Sequence, residues 1–146
     1  MIKLIRTLFE HHPKDSGEPQ KHNLRLAAAA LLIETARADY TEHAAELTKL
    51  AQLLATSLQL GQDEVRELVI AAQTRVEEAT SLYEFTQVIN AHCDADQKLQ
   101  LLSAMWLVAY TDGDLDKYEE HLIRQVAELT FVTHRDYIQC KLAAHN

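Results

Sequence analysis

The chain has 146 residues, 47% of them hydrophobic, with three glycines, two prolines and a formal charge of -8. That is enough to build the core of one domain, and high apolar content with few helix breakers favours a compact helical protein. The acidic balance disfavours nucleic acid as a partner, because phosphate binding needs clustered Lys and Arg; cations and basic protein surfaces fit it better.

Residues 1–10 place Ile2, Ile5, Leu8 and Phe9 at helical spacing, with Lys3 and Arg6 elsewhere on the wheel. An amphipathic helix is expected there. It suits docking on the body or on a second copy, and a weak peripheral contact with a membrane is open to it. Residues 11–22 hold Pro13, Gly17 and Pro19 and no apolar side chain, so they read as a flexible linker. Residues 1–22 are therefore set apart from a helical domain at 23–146.

Asn23 suits the N-cap of a helix that runs through the alanine block to about residue 38. Another helix is expected from about 41 to 57, and after Gly61 a third from 63 to about 78. Ser81 and Glu84 have capping-box spacing and open a helix to about 91. Asp94 and Gln97 repeat that spacing before a helix carrying Leu99, Leu102, Met105, Trp106 and Ala109. A helix from about 116 to 129 comes next, and Thr133 with Asp136 caps a last one to about 144. The β-leaning tetrad Thr130-Phe-Val-Thr133 is too short to pair alone. The expectation is an all-α fold, a compact bundle of seven to eight short helices.

Two acidic elbows stand 73 residues apart: Asp39-Tyr-Thr-Glu-His-Ala-Ala-Glu46 and Asp112-Gly-Asp-Leu-Asp-Lys-Tyr-Glu119. The apolar positions around them correspond, Leu31 with Ala104, Leu32 with Met105, Ile33 with Trp106, Ala36 with Ala109, and later Leu50 with Ile123. An internal helix–elbow–helix duplication is the expectation. In the second elbow Asp112, Asp114, Asp116, Glu119 and Glu120 bring five carboxylates into nine residues. Alternate aspartates resemble the opening of a calcium loop, and Gly113 allows a sharp turn. The spacing departs from an EF-hand, whose glycine is sixth and whose glutamate is twelfth. A cheaper reading takes Asp116 and Glu119 as a helix cap. It leaves Asp112 and Asp114 unexplained, and in the first elbow Glu46 has no local cap to serve. Both readings stand. An ion held by so open a loop would bind weakly, with a Kd on the order of 10⁻⁴–10⁻³ M for calcium.

Glu34 shares a helical stripe with Leu24, Ala27 and Leu31, so burial is expected and with it a partner. Arg37 is one candidate and a shared ion the other. The remaining candidates read more simply. His92-Cys-Asp-Ala-Asp96 lacks the second ligand pair of a zinc site and fits a capped helix start beside a buried thiol. Cys93 and Cys140 form no disulfide framework and suit a reducing, cytoplasmic setting. No stretch is long enough to span a bilayer; the longest uncharged apolar run covers residues 26–33. Residues 1–8 do not read as a secretory signal. No phosphate-binding loop, nucleophile elbow or HExxH helix occurs.

The second elbow, Val108-Ala-Tyr-Thr-Asp-Gly-Asp-Leu-Asp-Lys-Tyr-Glu119, resembles the signature of the TerB family, the tellurite-resistance-type domain also found in DjlA co-chaperones. Thr35-Ala-Arg-Ala-Asp-Tyr-Thr-Glu-His-Ala-Ala-Glu46 resembles it more loosely, with Tyr40 in place of the glycine. The likeness covers roughly residues 23–144. It implies an all-α fold of about seven helices and a non-catalytic role in stress or metal response. It also implies divalent-metal ligands at Asp39, Glu46, Asp112, Asp114 and Glu119. The expectation is thus a binding module for a divalent cation (Ca²⁺, Mg²⁺ or Mn²⁺) or a basic protein partner. Two alternatives stand beside it: a structural interaction domain, dimeric through helix packing, and an enzyme using a metal-bound water.

Overall fold

The computed structural model describes residues 18–37, 44–58, 61–110 and 117–145, with side chains placed for 23–37, 48–55, 61–110 and 117–144. Seven helices and no strand occur among them: α1 (Glu18–Arg37), α2 (Ala44–Leu58), α3 (Gln62–Glu78), α4 (Tyr83–His92), α5 (Ala95–Ala109), α6 (Lys117–Leu129) and α7 (His134–His145). The all-α expectation holds. The amphipathic helix expected at 1–10, and both elbow loops, lie outside the described residues.

Helix α1 is the centre of the bundle. Its run Leu24, Ala27, Ala28, Ala29, Ala30, Leu31, Leu32 and Ile33 is buried on every side, the pattern of a helix surrounded by others. Helices α2, α3, α4, α5 and α6 all pack against it, and the small alanines let them approach closely. Its start corrects the expectation of an N-cap at Asn23: the helix begins at Glu18, and Asn23 is an exposed residue within it. The reason is Pro19, read as a breaker although proline is well tolerated in a helix's first turn, where no N–H partner is missing.

Helix α5 is the second pillar, with Leu101, Leu102, Ala104, Met105, Trp106, Val108 and Ala109 buried. Its start is the expected capping box: the Gln97 amide donates to the Asp94 carboxylate at 2.9 Å, and the Gln97 side chain accepts from the Asp94 N–H at 2.9 Å. The box expected at Ser81 and Glu84 does not form. Glu84 accepts instead from Arg75 at 2.6 Å, tying α4 to the end of α3, and Ser81 only accepts from the Tyr83 N–H at 3.3 Å. Thr133 takes up its expected role, accepting from the Asp136 N–H at 3.2 Å.

The Thr130–Thr133 tetrad is a helix stop. Phe131 has φ 63, and its N–H donates to the Glu128 carbonyl at 3.2 Å while that of Val132 donates to Ala127 at 2.9 Å. This is a Schellman C-cap with phenylalanine in the left-handed position that glycine usually fills. Position pairs matched across the two elbows share their burial: Ile33 and Trp106, Ala36 and Ala109, Leu50 and Ile123 are all at most 1% exposed.

Candidate functional site

The acidic stretch at 112–116 leads into α6, and the register of that helix decides which of its own acids turn inward. The core-facing stripe of α6 is Glu119, Leu122, Ile123, Val126 and Ala127, the i, i+3, i+4, i+7, i+8 pattern of an amphipathic helix. Its first member is an acid. Glu119 is 1% exposed, as deep as Ile123 and Val126 below it. Carboxylates are almost never so buried unless donors, positive charge or a metal hold them. The N-terminal turn of α6 supplies part of this through its partial positive charge. Glu119 is therefore not a solvent-facing acid.

Glu120, one residue on, faces away from Glu119. It closes an ion pair with Lys141 of α7, so it serves the α6–α7 contact. Sequence reasoning had counted it with the elbow acids and had not singled out Lys141. The signal was available in the helix period, since a 100° step carries neighbouring positions to different faces.

Glu34 is half-buried on α1. Burial pushes its carboxyl above the ordinary 4.5, and the Arg37 guanidinium pulls it part of the way back. Arg37 is thus close enough to act as the ordinary partner expected of it. Glu46 stands four positions before the buried Leu50, as Glu119 stands four before the buried Ile123; its side chain is outside the described residues. Asp39, Asp112, Asp114 and Asp116 are outside them as well. Among the described residues, no group of three or more His, Cys, Asp or Glu is arranged to hold a metal.

The His92–Asp96 segment is a capped helix start beside a buried thiol, as expected. Cys93 is 9% exposed, and burial, with Asp94 adding to it, pushes its thiol up to about 12. Burial raises Cys140 too, while Ser103 pulls the other way; its thiol donates to the Leu99 carbonyl at 3.7 Å. Thiols held protonated in this way make poor nucleophiles.

A model of the family described as Tellurite resistance protein TerB matches residues 25–142. The chain belongs to the TerB family. No curated protein and no solved structure matches it. TerB membership implies a module of the tellurite-resistance, stress-related kind, and the matched span takes in both elbows. On the TerB fold the described residues form a scaffold of buried helices that sets the ends of α5 and α6 on either side of the second elbow. No helix among the described residues is long and apolar enough to cross a membrane.

Proposed function

We propose that this TerB protein is a non-catalytic binding module whose acidic elbows take up a divalent cation. The observation that carries the reading is the burial of Glu119 at the head of α6, directly after the aspartates at 112, 114 and 116. The donor set fits a hard cation: all the candidate groups are carboxylates, with no soft ligand among them. In the second elbow Asp112, Asp114, Asp116 and Glu119 would hold the ion. Asp39 and Glu46 are their counterparts in the first, with Glu34 a further acid near that end of α1. The ion would supply charge neutralisation for acids that otherwise repel one another, fixing the angle between helices in a stress or metal response.

The test is a melting series. Calcium, magnesium or manganese at millimolar concentration should raise the melting temperature, because an ion bound only to the native state stabilises it. Asp112→Asn should abolish the rise. If wild type is unmoved by every cation, or if the variant keeps the shift, the cation reading fails.

A second reading, an interaction domain that needs no ion, is favoured by Phe131. The residue is 80% exposed on left-handed backbone with φ 63, so its side chain buries little within the fold. Self-association in sedimentation that disappears in Phe131→Ala would support that reading.

A further inference from the structure

Helices α2 and α3 leave between them a groove of about 510 Å³, within the range of about 300–1,000 Å³ that small-molecule sites occupy. On α2 its wall is low, made by Ala51 and Ala55 with Gln52 between them. On α3 it follows one stripe, Gln62, Val65, Arg66, Val69 and Ile70. That is the i, i+3, i+4, i+7, i+8 spacing of a helix face that packs against something, yet Ile70 is 55% exposed. The stripe is graded. Gln62 and Arg66 stand toward its start, Val69 and Ile70 at its end, so the groove has a polar end and an apolar end.

Arg66 is the charged side chain among the described lining residues. Its approach to Asp63, at 3.7 Å, is longer than a hydrogen bond. The planar fork of the guanidinium is thus left for a ligand, and that fork matches a carboxylate. Neighbouring acids limit the charge such a ligand can carry. A step of about 100° per residue takes Glu64 to the far side of α3 and sets Asp63 and Glu67, both exposed, beside the Arg66 edge. A dianion or an acidic peptide would press further negative charge against them. A single carboxylate would not.

We infer that this groove binds a medium-chain fatty acid, with its carboxylate on Arg66 and Gln62 and its chain along Val69 and Ile70. From Gln62 to Ile70 the α3 wall runs about 12 Å, the length of an extended decanoate. The two alanines of α2 keep the opposite wall smooth, which suits an unbranched chain. Burial of that chain supplies affinity, at up to about fourfold per methylene. The guanidinium fixes its direction.

The test is calorimetric titration of the full chain with decanoate below its micelle-forming concentration, beside octanoate and decanol. Decanoate should bind at a single site, about fourfold tighter than octanoate, the gain for two half-buried methylenes. It should also exceed decanol by at least about threefold. Arg66→Gln should bring decanoate down to the decanol level and leave decanol itself unchanged. Ile70→Asp should weaken both by at least about tenfold. Both positions are exposed, so neither change puts the fold at risk. In heteronuclear NMR the shifts caused by decanoate should centre on Ala51, Ala55, Val65 and Val69. The inference is overturned if decanoate does not bind at millimolar concentration, if decanol matches it on wild type, if either variant leaves its affinity unchanged, or if the shifts centre elsewhere.

Discussion

Lys141 of α7 closes an ion pair on Glu120 of α6 and at the same time stands 5.8 Å from the centre of the Trp106 ring in α5. One ammonium thus binds three helices at the corner where the second elbow ends. Trp106 is fully buried, and it also stacks on Tyr110 at 5.9 Å and tilts against Tyr137 at 5.6 Å. Lys141→Met keeps the stem and removes the charge. With side chains 28% and 38% exposed, the ion pair is worth no more than about 1 kcal/mol, so the loss should be about 0.5–1 kcal/mol in urea denaturation. Trp106 emission should shift in the folded state. In a double-mutant cycle with Glu120→Gln the two changes should couple; strict additivity would show that the pair carries no energy.

The caps of α4 and α5 make a matched comparison. Asp94→Ala removes a carboxylate that accepts at 2.9 Å from the Gln97 N–H and should cost about 1 kcal/mol. Ser81→Ala, at a site of the same sequence spacing, should change stability by less than about 0.5 kcal/mol, because Glu84 is engaged with Arg75 and no reciprocal box exists there. Equal losses for the two variants would contradict the geometry.

These two caps also mark how far the residues could be read unaided. Spacing located both helix starts, but an acid at the fourth position serves the cap only if no better cation lies in reach. Arg75, nine residues earlier on another helix, is a tertiary fact. Glu119 was legible as an elbow acid, and its place four before Ile123 already put it on the apolar stripe. Weighing it as a cap alone hid its burial. The start of α1 was misjudged because Pro19 signals a break or a beginning with equal force. Which elbow oxygens share a centre depends on loop backbone at 112–116, and helical periodicity says nothing about that.

Glu34 gives a pH dependence with a definite sign. Its carboxyl is raised in the folded protein above the ordinary 4.5 by burial, against the pull of Arg37. The folded state therefore holds its proton more tightly than the unfolded one, and stability falls as pH rises from 4.5 through the folded value. Above that window the deficit is constant. Glu34→Gln has no such proton to lose. With cations chelated, the melting temperature of the variant minus that of wild type should grow as pH rises from 4 to 7 and then level off. A difference that is flat or shrinks over that range would mean the carboxylate is well paired when charged.

Cysteine chemistry supplies a check on the non-catalytic reading. With its thiol at about 12, Cys93 is ionised in about one molecule in 10,000 at pH 8. Cys140 is also raised, though less enclosed. A disulfide reagent should modify Cys140 first and Cys93 only on the timescale of unfolding, with both slower than a free thiol. Rapid modification of Cys93 in the native protein would reopen a nucleophilic role.

Phe131 poses the sharpest stability question. Left-handed backbone costs a residue with a side chain about 1–2 kcal/mol relative to glycine. Phe131 occupies it at φ 63 and is 80% exposed as a residue, so little packing compensates. Among the described residues its ring meets the Lys98 ammonium at 5.8 Å, a contact worth about 0.5 kcal/mol at an exposed site. Phe131→Gly should therefore stabilise the protein by about 0.5–1 kcal/mol, after allowing for the greater freedom of glycine in the unfolded chain. Phe131→Val, branched at Cβ, should destabilise it. The order Gly above Phe above Val in urea midpoints is the signature of backbone strain alone. If it is observed, a ring that weakens its own fold is left with a surface role as its reason to be there. If glycine melts below wild type, the ring is held by contacts within the fold and that role has no support.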